Sequence, residues 1–238
     1  MSNRTILRKA AAVLAAAVVA TGLGACSSGP HQRTITLTFI RHAQSESNAE
    51  GVIDTSIPGP GLTEDGKGQA EQLAHQLSHN HYDGVYASPM LRSQQSAAPL
   101  AEAIGKQVQI LPGLKEIAAG WFNGEDVSRA DNTYLLAPEG WVHGDHSFQV
   151  PGGIDGTKFN EQFTAAVQKI YDSGDKNPVA FSHGTAIMTW TLMNVKNSKS
   201  SLMSDHPLPN DGRVVITGNP DFGWKLVDWD GIRSFYSS

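Results

Sequence analysis

Two spacings of apolar residues alternate along the chain. Thr34 to Ile40 (TITLTFI) is rich in β-branched residues and wholly apolar at its end, which predicts a buried strand delivering Arg41 and His42 to its C-terminal edge. Ala70, Leu73, Ala74 and Leu77 then recur at helical spacing behind Thr63, a hydroxyl residue suited to an N-cap. A second strand is predicted at Gly84 to Ala87, and Ser88-Pro89 opens a helix carrying Leu91, Ala97, Ala98, Leu100 and Ala101. Val108 to Leu111 reads as a third strand, Phe159 to Tyr171 as a helix, Pro178 to Phe181 as a strand and Thr185 to Met193 as a helix. Val214 to Thr217 with Trp224 to Val227 has the pattern of a closing hairpin.

Strands that alternate with helices predict an α/β domain with a largely parallel sheet and a β-rich end. Ligands of such sheets lie beyond the carboxyl ends of the strands. Three segments fall at positions of that kind: Arg41-His42, Ser88 to Arg92, and His183-Gly184. Gly120 to Gly156 is rich in Gly, aromatic and acidic residues without a clear period, and reads as an insertion at about 120–156 where substrate-facing loops belong.

The first residues follow a different logic. Asn3-Arg4 to Arg8-Lys9 is a basic stretch, Ala10 to Ala20 an apolar one, and Leu23-Gly24-Ala25-Cys26 follows. This is the pattern of an export signal, too short to span a bilayer as a helix. Leu-Gly-Ala-Cys resembles the bacterial lipobox, which makes residues 1–25 a signal peptide, Cys26 a lipidated first residue of the mature protein, and 26–33 a tether before a domain at 34–238. Removal of 1–25 takes away Arg4, Arg8 and Lys9 and no acid, so the formal charge goes from −5 to −8. A domain that acidic has no broad attraction for nucleic acid. Cys26 is the one cysteine of the 238 residues, so disulfides, cysteine-based zinc sites and cysteine nucleophiles are excluded.

Arg41-His42-Ala43-Gln44-Ser45-Glu46-Ser47-Asn48 carries the candidate chemistry. Phosphoryl transfer needs an in-line nucleophile and cationic donors around three equatorial oxygens, and a His after an Arg at a strand end offers both. Ser45 and Asn48 add neutral donors. The stretch resembles the Arg-His-Gly-x-Thr-x-x-Asn signature of the histidine phosphatase superfamily, which includes phosphoglycerate mutases and phosphatases of small esters. Four further segments resemble that family in the same order: Leu62-Thr63-x-x-Gly66-x-x-Gln69-Ala70, Ser88 to Ala97 around Arg92, Leu114-Lys115-Glu116-Ile117, and Phe181-Ser182-His183-Gly184.

The resemblance implies a three-layer α/β/α sandwich of the phosphoglycerate mutase-like kind. It implies that His42 becomes phosphohistidine, that Arg41, Arg92 and His183 grip phosphate with Asn48 and Ser45 as supporting donors, and that Glu116 is the general acid and base. Glu46 and Asp155 are weaker candidates for that last role. No metal and no cofactor is implied. Ala43 departs from the family's glycine and adds a methyl group close to the phosphate pocket; Ser93 and Ser96 replace Ala and Thr. His75, His79 and His81, or His143 and His146, have metal-like spacing without accompanying carboxylates, and read as surface residues. Trp121 and Trp141 lie in the insertion, where an aromatic ring can stack on a ligand.

Within the family, a mutase needs basic residues for a second phosphate. The stretch after Asn48 has none and the insertion has Arg129 alone, so hydrolysis of a small phosphomonoester, a sugar phosphate or nucleotide, is the expected activity. The alternatives are a mutase-type phosphotransferase, a lipoprotein that binds phosphate ligands with little catalysis, and an anchored recognition surface.

Overall fold

The computed structural model describes residues 33–235. The signal peptide, Cys26 and the tether before Arg33 lie outside the described residues. In chain order the elements are β1 (Ile35–Arg41), α1 (Glu46–Glu50), α2 (Glu64–Leu77), β2 (Gly84–Ala87), α3 (Leu91–Ala103), β3 (Val108–Ile110), α4 (Leu136–Val142), α5 (Gly156–Asp172), β4 (Pro178–Ser182), α6 (Gly184–Asn194), α7 (Leu202–Asp205), β5 (Arg213–Asn219) and β6 (Gly223–Trp229). Six strands form one sheet in the order β3-β2-β4-β1-β5-β6. The first four are parallel, and β5 and β6 are antiparallel.

Alternation along each strand sorts side chains to two faces. Ile40, Val85, Ala87, Val179 and Phe181 meet Leu73, Leu77, Ala97 and Leu100 of α2 and α3. Phe39, Tyr86 and Ala180, one residue out of step, belong to the larger cluster with Phe159, Phe163, Ile187 and Trp190 of α5 and α6. Helices therefore cover both faces, and the central strands β2 and β4 are buried at every position, as a sheet covered on two sides requires. Phe39, Phe163 and Trp190 form an aromatic knot with ring centroids 5.3 to 5.7 Å apart.

The aperiodic insertion is ordered around one ring. Trp141 is fully buried, stacks on Phe159 at 5.5 Å and donates Nε1–H to the Phe148 carbonyl. A ring that size buries roughly 200 Å² at about 25 cal/mol per Å², so about 5 kcal/mol holds α4 against α5. Gly156 sits under it, where a methyl group would fall 2.5 Å from the ring. Trp141 is thus a core residue and no ligand stacker. Trp121 is 80% exposed and lies against Gly152.

Register brings the candidate segments together. Arg41 pairs with Ser182 and Ala87 with Phe181. The ladder runs one step further: His42 N–H donates to the Ser182 carbonyl at 3.0 Å, and Ser88 N–H to the Phe181 carbonyl at 3.1 Å. His42, Ser88 and His183 consequently leave the sheet side by side at its carboxyl edge.

Candidate active site

His42 stands at the centre, 4% exposed. Its Nδ1 lies 2.7 Å from the Ala43 carbonyl. A carbonyl only accepts, so Nδ1 carries the proton and Nε2 holds a lone pair. Arg92 Nε donates to that Nε2 at 3.0 Å. Burial first, then the Arg92 charge, hold the His42 imidazole well below the usual histidine range, against the pull of the Ala43 bond. The ring is neutral, with a fixed tautomer.

His183 caps the start of α6, its ring centroid 5.1 Å from that of His42. Its Nε2 meets Ser88 Oγ at 2.7 Å, and Ser88 Oγ also accepts from Met90 N–H. With Ser88 donating to Nε2, the ring proton sits on Nδ1, an atom buried without a partner among the described residues. Arg41 Nε and Arg92 Nη1 share that condition. Arg41 is held from behind, its Nη1 donating to the Leu208 carbonyl at 2.5 Å; Arg92 Nη2 donates to the Asp54 carbonyl at 3.1 Å. Burial lowers both guanidinium values, with Glu116 pulling the other way.

Glu116 closes the site from the β3 side. Its Oε1 accepts from Ile117 N–H at 2.8 Å and Ala186 N–H at 2.9 Å, and its Oε2 from Thr185 N–H at 3.3 Å. Two of these donors are in the first turn of α6, where a carboxylate is favoured. Desolvation still outweighs those bonds and the arginines, and raises the carboxyl above the ordinary glutamate range.

The motif residues that touch no ligand position build this geometry. Gln69 Oε1 accepts from Gln44 N–H and Gln95 Oε1 from Leu62 N–H, both at 2.8 Å, which clamps the loop after β1. A methyl group on Gly66 would fall 2.0 Å from the Gln44 carbonyl oxygen, and one on Gly184 would fall 3.2 Å from Arg41 Cδ. Gly66 permits a close approach to backbone that any larger residue blocks, whereas a methyl group at Gly184 would press on the Arg41 side chain. Ser96 Oγ accepts from Ala43 N–H and donates to the Arg92 carbonyl; Ser93 Oγ donates to the Phe181 carbonyl.

The structure redistributes some expected roles. Ser45 is fully buried as the N-cap of α1, with Oγ accepting from Asn48 N–H and meeting Ser47 Oγ; Ser47, not Ser45, lines the cavity. Asn48 does line it, with Oδ1 taken by Ser45 N–H and Asn210 Nδ2. The Ala43 methyl group packs with Leu62 and Ala70 and stays out of the cavity. Glu46 is an exposed first-turn acid of α1 and Asp155 is the N-cap of α5; neither lines the cavity. Among the described residues no group of three or more His, Cys, Asp or Glu side chains has metal-site geometry.

Three neighbours were not legible from sequence. Asn210 Nδ2 donates to the His42 carbonyl at 3.0 Å. Asp211, at φ +60°, lies beside Arg41, and burial pushes its carboxyl up to about 6. Tyr134, from the insertion, donates to the Ile117 carbonyl and borders Glu116. The Asn-Asp-Gly turn before β5 is a signal for Asn210 and Asp211; Tyr134 has none.

An imidazole ringed by two arginines and a second imidazole, at the carboxyl edge of a mostly parallel three-layer sheet, defines a phosphate-handling α/β protein. The chain belongs to the histidine phosphatase superfamily (branch 1), whose model matches residues 37–230. It is 43% identical over 220 residues to the PE-PGRS family protein PE_PGRS11 of Mycobacterium tuberculosis, covering 86% of this chain and 38% of that protein. It is 34% identical over 119 residues to phosphoserine phosphatase 1 of Hydrogenobacter thermophilus, covering 50% of this chain and 56% of that one. The chain thus spans about two fifths to just over half of these curated relatives. In structure it resembles a mycobacterial glucosyl-3-phosphoglycerate phosphatase, with a TM-score of 0.68, 20% identity and coverage of 84% and 100% of the two chains. That likeness carries the fold.

Proposed function

We propose that this protein hydrolyses phosphomonoesters by passing the phosphoryl group through His42. One observation carries the reading: Arg41 Nε, Arg92 Nη1 and His183 Nδ1, from three separate segments, are buried without partners among the described residues, around His42, whose Nε2 lone pair accepts from Arg92 Nε. An unmade buried donor costs about 1–3 kcal/mol, and more when charged. Phosphate oxygens would remove that cost at all three atoms, and the arginines would neutralise a dianion.

In the first step the His42 Nε2 pair attacks phosphorus while the bond to the ester oxygen breaks. Glu116 gives its proton to that oxygen, and a neutral alcohol leaves. In the second step Glu116, now a carboxylate, takes a proton from water as the water oxygen attacks phosphorus. The N–P bond breaks back onto Nε2, phosphate leaves, and Glu116 is again protonated.

The test is phosphate release from p-nitrophenyl phosphate and a panel of small esters with EDTA present, joined to acid-labile, alkali-stable phosphoenzyme trapped by rapid quench. Turnover with a trapped phosphohistidine in the wild type supports the reading. A folded protein that binds phosphate and cleaves no ester would make it a binding module instead.

The reading includes a location outside the cytoplasm, at the membrane, through a lipid on Cys26. Its support is the Arg4 to Lys9 stretch, the apolar run and Leu23-Gly24-Ala25-Cys26. Expression in a bacterium with labelled fatty acid should label the wild type in the membrane fraction. Cys26→Ala should lose the label; an unlabelled wild type ends the proposal.

A further inference from the structure

The cavity beside His42 has a volume of about 180 Å³, below the roughly 300–1,000 Å³ of pockets that enclose drug-sized ligands. Its floor is Arg41, His42 and Arg92, with His183 fully buried behind them. Its remaining wall mixes apolar side chains, such as Val52, Val127 and Met188, with neutral polar ones, Ser47, Asn48 and Thr55. Among the described residues that line it, the permanent cations are Arg41 and Arg92, and both are turned to the phosphate position. Arg129, the one Lys or Arg of the insertion, is exposed, pairs with Glu125 at 3.3 Å and does not line the cavity. The further charged group on the wall is an acid, Asp54, beside Arg92.

Two arginines balance the two charges of a phosphomonoester dianion. A second anionic group on the leaving alcohol would then lie near a carboxylate and without a cation to balance it. Resting on the hydrolase reading, we infer that the leaving-group subsite takes compact, uncharged alcohols and discriminates against esters whose alcohol carries a carboxylate or a second phosphate. Nucleotides are disfavoured on volume. This sets the chain apart from relatives named for phosphoserine, whose leaving alcohol carries a carboxylate.

Matched pairs isolate charge from size: ethyl phosphate against phosphoglycolate, and propyl phosphate against 3-phosphoglycerate, with kcat/KM measured at pH 6 to 7 on the full chain. The neutral member of each pair is expected to be preferred by at least about 10²-fold, the scale of rejection when a charge is left unpaired. Val127→Lys tests the cause. Val127 is 55% exposed and its backbone N–H holds the Gly51 carbonyl, so the change leaves the core intact while adding a cation at the wall. It is expected to narrow each ratio by about tenfold or more, by raising turnover of the carboxylated ester.

Equal or faster turnover of the carboxylated esters by the wild type overturns the inference and leaves the hydrolase reading standing. So does an unchanged ratio in Val127→Lys, or cleavage of p-nitrophenyl phosphate with both neutral aliphatic esters untouched. Failure on every ester, p-nitrophenyl phosphate included, strikes the hydrolase reading itself.

Discussion

Replacing His42 by Ala is expected to lower kcat/KM for p-nitrophenyl phosphate by about 10⁴-fold or more while the protein still folds and still binds inorganic phosphate. The size follows from losing the covalent route altogether: no other side chain presents a lone pair to phosphorus, and water must attack directly. Folding survives because the structural cost is limited. Arg92 Nε loses its acceptor, about 1–3 kcal/mol, but Arg92 keeps its bond from Nη2 to the Asp54 carbonyl. Phosphate binding survives because Arg41, Arg92 and His183 remain. Calorimetric titration with phosphate, run beside the kinetics, separates a lost nucleophile from a lost fold. Turnover within tenfold of the wild type would show that His42 carries no phosphoryl group.

The second large effect is expected at Glu116→Gln, and it depends on the leaving group. An aliphatic alkoxide needs a proton to depart, so turnover of ethyl phosphate should fall by about 10²–10⁴-fold, the range of general acid catalysis. p-Nitrophenolate departs unaided, so the first step on that ester should be nearly unchanged. The second step loses its base, and the phosphoenzyme should accumulate as a stoichiometric burst followed by slow release. An equal loss in the first step on both esters, with no burst of p-nitrophenolate, would deny Glu116 the role of acid.

The pH dependence has a definite sign. His42 must be neutral, and its value lies below the usual 6.5, so activity falls only when the pH drops below the ordinary histidine range. Glu116 must be protonated for the first step, and its value lies above the usual 4.5, so activity falls as the pH rises through that raised value. Wild-type kcat/KM on ethyl phosphate should therefore be bell-shaped, with an acid limb set by the lowered His42 value and an alkaline limb set by the raised Glu116 value. Glu116→Gln should lose the alkaline limb, because the amide does not titrate.

Much of this was legible in the chain. Helical spacing of apolar residues located α2, α3 and α5, and short apolar runs located the four parallel strands, α6 and the closing hairpin, because each buries apolar surface that composition cannot disguise. The terminal residues of those strands pointed to Arg41, His42, Arg92 and His183 as neighbours, since parallel strands end on one edge of a sheet. Helix α4 was not legible: it spans seven residues around a single ring, Trp141, and a stripe that short has no measurable period. Helix α1 is five residues and α7 four, with the same consequence.

Motif and strand position were enough to say which residue types meet and which chemistry they suit. They were silent on which oxygen of Ser45 or Ser47 faces a ligand, on the Ala43 methyl turning toward Leu62 and Ala70, and on Tyr134, Asn210 and Asp211 arriving from segments 92 to 169 residues away from His42. Those outcomes depend on distances across the fold, where a rotation of one side chain exchanges a cap for a cavity wall. The same holds for charge: a sequence lists Arg129, Glu125 and Asp54, but their pairing and their place relative to a cavity of about 180 Å³ are settled by packing.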